Sequence, residues 1–407
     1  MLRTVIFNCS LPKPEADVLN QESGRVYTDT LVWHYRVYRR TGHWLSPGAE
    51  ERLNDYLTGI TILHAHSRDA AQQGFPKACK TARACRKSGL EVRYPHKLKR
   101  FRSTIWKNTG IRLSGGSLLL AKARGLTPVV VSLPSNLSGF PKQSFREVRL
   151  VWDRAARHYQ WHLVVEDGVL PDSVPGENVV AVDLGEIHPA VATDREEAVV
   201  FSARALRSVR QYTVKRLSEL QQELSHRKRG SCQSKRLVGR KSRFLAQQKR
   251  RTRDIEHKVS CAVVKFAVER KTGTIAIGDV RDIADGKRLN TKSQQKVGLW
   301  SHGQLRSYIE YKAEAAGIKT ILVPEAYTSK TCPSCGHRYS PRGRVYTCPS
   351  CGLVAHRDVV GAVNILSRYR TGEVGRVLVP SSIKYRHPFL AGKRSRLDTA
   401  QVARCAS

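Results

Sequence analysis

Acidic residues are scarce in this sequence. Its 407 residues include 34 Asp and Glu against 71 Lys and Arg, which gives a formal net charge of +37. A folded chain with this excess repels itself unless a polyanion compensates the charge, so we expect nucleic acid to be the partner. The same excess predicts many phosphate contacts, and therefore binding that weakens steeply as salt is added.

Long apolar runs are also missing. No stretch approaches the roughly 18 apolar residues of a membrane-spanning helix, which argues against a basic membrane protein. The segment Met1 to Phe7 has only a short apolar run and no small-residue cleavage site, so we expect no export signal. These features predict a cytoplasmic, nucleoid-associated protein. There is no internal repeat, and the length favours more than one domain.

Four of the ten cysteines stand in two closely spaced pairs. These pairs are Cys332-Pro-Ser-Cys335 and Cys348-Pro-Ser-Cys351, with twelve residues between them, whereas the other six cysteines are scattered singly. Two such pairs at this separation predict a tetrahedral structural Zn²⁺ site. Disulfides are the alternative, and the lack of a secretory signal disfavours them.

Two acidic residues stand at the boundaries of apolar elements. Asp358 follows the second cysteine pair and begins an apolar helical pattern, and Asp183 ends an apolar strand pattern just before Gly185. Converging carboxylates can hold the two Mg²⁺ ions of phosphodiester hydrolysis. Alone, Asp183 would be interpreted as a turn residue and Asp358 as a helix N-cap. Their combination with the cysteine pairs favours the metal-binding interpretation.

The second half of the chain has the element order of a nuclease core. From about residue 177, the patterns predict three strands, a helical hairpin, a strand, a helix, a strand and a last helix, which is the order of an RNase H-type nuclease. The hairpin carries Arg227-Lys-Arg229 and Lys249-Arg-Arg251 among few acids. This bias favours phosphate contact over a merely solvated face.

The first half predicts a small β barrel with helices inserted after its first strand. A strand pattern near Thr4 to Leu11 is followed by three predicted helices between about residues 17 and 87. Short strand patterns then run to about residue 167, and 148–152 with 159–165 resembles a hairpin. Trp106, Trp152 and Trp161 in this region are predicted core residues, because aromatics fit buried strand positions. We assign no role to His188 or His356, since a lone histidine is more often structural than a ligand.

Taken together, these motifs resemble those of a known family. Four segments are similar to the RuvC and zinc-ribbon signatures of the TnpB family, transposon-encoded relatives of type V CRISPR effectors and Fanzor proteins: Asp183-Leu-Gly185, Tyr327 to Gly336, Cys348 to Gly352 and His356 to Ile365. The resemblance implies an α/β multidomain fold. An RNase H-like RuvC core with a zinc ribbon would follow an oligonucleotide-binding-type wedge barrel with an inserted helical recognition domain. The implied bounds are 1–16 and 88–176 for the wedge barrel, 17–87 for the recognition domain, 177–330 and 353–369 for the RuvC core, 331–352 for the zinc ribbon and 370–407 for a basic, disordered tail.

The resemblance also implies an activity. The protein would be an RNA-guided DNA endonuclease that binds a guide RNA, recognises a short target-adjacent motif and cleaves double-stranded DNA through a two-metal Mg²⁺ site. Zn²⁺ would be structural, and no membrane is expected as a partner. The alternative is a nuclease-dead, RNA-guided DNA-binding repressor, and a more distant one is a transposase that acts directly on DNA. The sequence leaves open the guide RNA, the adjacent motif, the transposon or CRISPR context and the oligomeric state.

One position departs from the family pattern. Family members place a glutamate near the end of the strand where this chain has Gly278, which has no side chain to bind a metal. Glu325 could supply the acid from a later strand, as in a subset of the family. Asp279 could serve instead, although a shift of one residue along a strand points a side chain to the opposite face, or the core could be inactive. We favour Glu325, and the predicted catalytic and magnesium-binding residues are therefore Asp183, Glu325 and Asp358.

Overall fold

The computed structural model describes residues 2–44, 59–166, 168, 176–281, 290, 294–295, 298–341 and 343–387. The chain divides into two compact units, Met1–Gly168 and Val169–Ser407. The part of the predicted helical region that covers residues 45–58 lies outside the described residues. Among the described helices, none combines the length and the apolar character needed to span a membrane.

The first unit contains two antiparallel sheets. Strands β1, β7, β6 and β2 form one sheet in that order, and β3, β4 and β5 form the other. The elements are β1 Leu2–Asn8, α1 Lys13–Thr41, α2 Ala65–Gln72, α3 Gly74–Lys87, β2 Thr104–Lys107, β3 Ile111–Ser114, β4 Ser117–Leu120, β5 Val129–Ser132, β6 Phe145–Asp153 and β7 His158–Glu166. Helices follow the first strand in the described part of the predicted helical region, and the predicted β6–β7 hairpin is confirmed. Strand β3 was not predicted, and closure of the sheets into a barrel stays a prediction.

Strand β7 contributes one of its faces to the larger of two hydrophobic clusters described in the first unit. Alternate side chains point to the same face of a strand, and four on one face of β7 are buried: Tyr159, Trp161, Leu163 and Val165. They pack in one cluster with Trp106 of the same sheet and Leu118 of the second sheet. The predicted core positions of Trp106 and Trp161 are confirmed, and Trp152 is partly buried against the same cluster.

Gly24 allows a close approach between α1 and the segment before β2. A Cβ at this position would lie 2.6 Å from the carbonyl oxygen of Arg100, a backbone atom that cannot move aside easily. Gly24→Ala should therefore lower the free energy of unfolding by about 1–3 kcal/mol, the usual cost of overpacking. As a control, the added methyl of Gly239→Ala in the helix Cys232–Glu269 meets no atom within 4 Å in the part of the chain that the structure describes, and this variant should be more stable by about 0.4–1 kcal/mol. Urea unfolding of both variants checks this, and the same small effect at both sites would contradict it.

The second unit is built on a six-stranded sheet with the order β12-β11-β8-β9-β10-β15. Strands β8, β11 and β12 are parallel, whereas β9 is antiparallel to both β8 and β10. The elements are β8 Asn178–Asp183, β9 Ala190–Thr193, β10 Glu197–Phe201, α4 Arg204–Ser225, α5 Cys232–Glu269, β11 Thr272–Asp279, α6 His302–Ala315, β12 Lys319–Pro324, β13 Val345–Thr347, β14 Val354–His356, α7 Arg357–Thr371 and β15 Ser382–Arg386. The predicted succession of strands and helices from residue 177 is confirmed.

Helices cover both faces of this sheet. Val182 of β8 lies in a core with Val259 of α5 and Ile309 of α6, whereas Ala181 packs with Ile365 of α7 on the other face. Because side chains alternate along a strand, Asp183, the residue after Val182, points to the α7 face. Strands β8, β11 and β12 are parallel, so their carboxyl ends also meet at one edge of the sheet.

The prediction of a disordered tail at residues 370–407 is wrong for part of that range. Helix α7 continues to Thr371, and Ser382–Arg386 forms β15, which pairs in parallel with β10. Ile383 packs on the α7 face of the sheet. The Nζ of Lys384 donates to the buried carboxylate of Glu197 at 2.9 Å. The basic composition of this segment thus supplies a cation that a buried acid needs. Residues 388–407 lie outside the described part.

Candidate catalytic and metal centres

Three carboxylates lie at the edge where the parallel strands end. Asp183 is the last residue of β8, Glu325 directly follows β12, and Asp358 is the second residue of α7. Desolvation raises the pKa of Asp183 well above its usual value, and the charges of Glu325 and Asp358 raise it further. The three predicted acids therefore share one electrostatic environment.

The carboxylate of Glu325 fills the space above Gly278. A Cβ at position 278 would overlap Oε1 of Glu325 and lie 2.7 Å from its carboxyl carbon. Gly278 pairs with Val323 of the neighbouring strand, two residues before Glu325, so the two positions lie on the same face by alternation. The acid that follows β12 thus occupies the volume that a side chain at position 278 of β11 would otherwise take.

The surroundings of Glu325 favour its protonated form. Burial raises its pKa to about 7, the charge of Asp279 adds to the increase, and a hydrogen bond from Asp183 opposes it. Its Oε1 is buried and has no hydrogen-bond partner within the described ranges. An unpaired buried oxygen is costly, and a divalent cation would satisfy it. Because ligating carboxylates must be ionised, cation affinity should increase as the pH rises through about 7.

Asp279 is engaged elsewhere. Nε of Arg281 donates to both of its carboxylate oxygens, at 2.9 Å and 3.0 Å. This guanidinium holds the pKa of Asp279 below its usual value. Since side chains alternate along β11, Asp279 points away from the face of Gly278. These contacts favour Glu325 over Asp279 as the substitute acid.

Asp358 lies in the first turn of α7. Its backbone N–H donates to Nδ1 of His356 at 3.3 Å, so His356 is the N-cap and the N-cap interpretation of Asp358 is wrong. Its carboxylate accepts a hydrogen bond from Arg344 at 2.8 Å. A carboxylate in the first turn also interacts favourably with the helix dipole.

Two α7 residues that the sequence patterns do not single out position these acids. A Cβ on Gly361 would lie 2.6 Å from Oδ2 of Asp183, so a glycine lets the helix approach that carboxylate. Asn364 is fully buried, and its Nδ2 donates to the carbonyl oxygens of Thr328 and Thr331, both at 2.7 Å. These bonds tie α7 to the turn after Glu325. The sequence signal that could have identified Asn364 is a polar amide inside an otherwise apolar helical pattern.

The four cysteines of the two pairs lie close together and form no disulfide. Their sulfur atoms are all within 4.8 Å of one another, and the distances from Cys332 to Cys351 and from Cys335 to Cys348 are both 3.6 Å. A tetrahedron with Zn–S bonds of about 2.3 Å has sulfur atoms about 3.8 Å apart. The group therefore has the donors and the spacing to hold one Zn²⁺.

This cysteine group packs against the helix that carries Asp358. Cys332 and Cys348 are buried in a cluster with Tyr346 and with Val360 of α7. The backbone N–H of Arg357, the first α7 residue, donates to the carbonyl of Arg344 beside β13 at 2.9 Å. The start of α7 is thus anchored to the cysteine segment.

The helical hairpin presents its basic residues to solvent. Both predicted basic runs, Arg227 to Arg229 and Lys249 to Arg251, are exposed. Helix α4 buries only Leu206 and Leu220 of its described residues. Exposed cations without a matching set of acids are suited to phosphate contacts.

Comparison with known proteins bears on the class of this molecule. Residues 302–365 match the family model described as Cas12f1-like, TNB domain, and this range contains Glu325, the four paired cysteines and Asp358. In fold, the chain is similar to the protein in "Cryo-EM structure of the Cas12f1-sgRNA-target DNA complex". The TM-score is 0.61 at 14% identity, over 87% of this chain and 83% of that one.

Curated relatives are similar over different parts of the chain. The "TnpB-like protein MJ0751" of Methanocaldococcus jannaschii is 26% identical over 199 residues, 47% of this chain and 69% of that protein. The "Putative transposase MJ0856.1" of the same organism is 35% identical over 95 residues, 21% of this chain and 82% of that protein. A "Putative RNA-guided DNA endonuclease" of Streptomyces pristinaespiralis is 27% identical over 285 residues, 68% of this chain. The chain spans 64% of that relative, slightly less than two thirds.

The fold is thus that of a multidomain α/β protein of the Cas12 type. The chain belongs to the TnpB family.

Proposed function

We propose that this chain is an RNA-guided DNA endonuclease whose RNase H-like RuvC core cleaves double-stranded DNA with two Mg²⁺ ions. The position of Glu325 carries the proposal, because it places a third carboxylate beside Asp183 in the space above Gly278. A complete acid set supports cleavage over RNA-guided binding alone. The alternatives of Asp279 as the ligand and of an inactive core lose support for the same reason.

The sheet supports the RNase H-like assignment. Strands β8, β9 and β10 form an antiparallel meander, and β11 and β12 add in parallel beside β8 to give the order β12-β11-β8-β9-β10, with β15 at the far edge. This spatial order of the strands supports the RNase H-type core that the succession of elements along the chain predicts. In the first unit, two sheets with a shared core and three described helices support a wedge barrel with a recognition domain.

The residues of the site would have two roles, metal binding and positioning. Asp183, Glu325 and Asp358 would hold the Mg²⁺ ions, which, when bound, activate the attacking water and stabilise the leaving oxygen. Asn364 fixes the distance between α7 and the turn after Glu325, and Gly361 allows Asp183 to lie against the helix. Partial burial of the acids also lowers the local dielectric, which strengthens their hold on a cation.

The net charge of the chain and the similar proteins both indicate nucleic-acid partners. A net charge of +37 with exposed basic runs supports binding of guide RNA and target DNA. The similar fold is that of a Cas12f1 in a complex with sgRNA and target DNA. We further propose that Cys332, Cys335, Cys348 and Cys351 hold a structural Zn²⁺.

Cleavage of a matched plasmid tests the proposed function. The protein is purified with the RNA that accompanies it, the RNA is sequenced, and a plasmid carrying its complement next to randomised flanks is added with Mg²⁺. We expect linear product from plasmids with a particular flank. Tight guide-dependent binding with an intact plasmid would support a repressor and contradict the endonuclease.

Gly278→Ala tests the close approach of Glu325. The added methyl would overlap the Glu325 carboxylate and displace it, and a displacement of about 1 Å in a catalytic group costs about 100-fold in rate. We therefore expect guided cleavage to slow by about that factor while RNA binding is kept. Gly303→Ala in α6, where a Cβ meets no atom of the described residues within 4 Å, is the matched control and should cleave normally. Equal rates for both variants would contradict this placement of Glu325.

A further inference from the structure

A second group of metal-binding side chains lies next to the acid site. His188 from the β8–β9 loop, His356 before α7 and Asp358 each offer one ligand atom, and these atoms lie within 4.8 Å of one another. The two imidazole rings are 5.6 Å apart between centroids and meet edge to face. Tyr385 of β15 packs against both rings, at 6.4 Å and 6.2 Å.

His188 provides an independent sign of a ligand. The residue is 7% exposed, and its Nδ1 is buried with no hydrogen-bond partner in the part of the chain that the structure describes. Buried polar atoms are nearly always paired, so an unpaired one calls for an explanation. A metal ion bound to the ring would supply it.

We propose that His188, His356 and Asp358 bind one divalent first-row transition ion, in a site that shares Asp358 with the acid site. Imidazole nitrogen favours transition metals, whereas Mg²⁺ prefers oxygen ligands. Two histidines and one carboxylate also leave coordination positions open for water or substrate. The proposal concerns binding alone and does not depend on DNA cleavage.

Ion binding requires small local movements. Metal–ligand bonds of about 2.1 Å place neighbouring ligand atoms about 3.0–3.4 Å apart, so the three side chains must close by no more than about 1.8 Å. His356 would exchange its 3.3 Å hydrogen bond from the Asp358 amide for the ion. The guanidinium of Arg344 on Asp358 opposes cation binding, and the nearby acids Asp183 and Glu325 favour it.

Nitrogen coordination of Mn²⁺ tests the proposal directly. The zinc-loaded protein receives one equivalent of Mn²⁺ in excess Mg²⁺, and electron spin echo modulation from ¹⁴N reports whether imidazole binds the ion. We expect ¹⁴N modulation in the wild type and its loss to background in His188→Phe and in His356→Asn, which keeps a side-chain oxygen for capping. His302→Phe, another histidine of the second unit, should keep the modulation. Unchanged zinc content and thermal unfolding show that the variants are folded.

The possible outcomes distinguish a failure of this metal-site proposal from a failure of the proposed nuclease activity. Asp183→Asn should keep the ¹⁴N modulation even if it abolishes cleavage, because Asp183 is not a ligand of this ion. An inactive wild-type protein with ¹⁴N modulation would contradict the nuclease and leave this site intact. Absence of ¹⁴N modulation in the wild type, or modulation that survives both histidine substitutions, would overturn the proposal.

Discussion

Glu325→Gln should slow guided DNA cleavage by at least about 100-fold, while guide-dependent DNA binding stays within about twofold. The amide keeps the size of the side chain and removes the charge that a Mg²⁺ ion requires. A hundredfold loss corresponds to about 2.7 kcal/mol of transition-state stabilisation, a modest share of what a catalytic metal contributes. Single-turnover cleavage of a labelled duplex gives the rate, and gel shift under non-cleaving conditions gives the affinity.

The neighbouring acid is the matched control for this substitution. Asp279→Asn removes a carboxylate that Arg281 already pairs, so cleavage should stay within a few-fold of wild type. An inactive Asp279→Asn variant beside an active Glu325→Gln variant would reverse our assignment. A double variant, Gly278→Glu with Glu325→Ala, returns the acid to β11 and should recover at least tenfold over Glu325→Ala alone.

Cys332→Ser should release bound zinc and loosen the start of α7. Structural zinc sites in small peptides contribute about 10–16 kcal/mol of apparent folding free energy at neutral pH. Cys332 is fully buried beside Val360, two residues after Asp358, so its loss disturbs the helix that carries this acid. We expect faster amide exchange from Thr331 to Asp358, a lower thermal midpoint and cleavage reduced at least tenfold.

Cys261→Ser controls for the loss of a thiol. Cys261 is exposed on α5, outside the cysteine group. This variant should keep one zinc per chain, as measured by mass spectrometry, and should exchange its amides as the wild type does. Normal zinc content in Cys332→Ser, or no change in exchange near α7, would contradict a structural metal site.

Much of the second unit could be predicted from local patterns. Each apolar strand run is bounded by polar residues, and Asp183 stands at the end of one such run. The pairing of β6 with β7 also follows from local alternation and a short connection. The tail was harder to predict, because β15 is stabilised by distant partners such as Glu197. A five-residue basic strand carries no local signal of that contact.

The position of the substitute acid, Glu325, is harder to predict from the sequence than the strands are. Alternation predicts the faces of Gly278 and Asp279, but the register between β11 and β12 decides whether Glu325 reaches that face. The pairing of Gly278 with Val323 supplies this information, and it depends on contacts across the whole sheet. The grouping of His188 with Asp358 is equally non-local, since a loop and a helix start from distant parts of the chain meet there.

The position of a bound cation tests the central claim most directly. Crystals of the protein with its guide RNA, soaked in Mn²⁺, would give an anomalous difference map in which each ion is located independently of the protein atoms. We predict a peak within bonding distance of carboxylate oxygens of both Asp183 and Glu325. A peak bound by Asp279, or a Glu325 side chain turned away from Asp183 with no ion between them, would contradict the account.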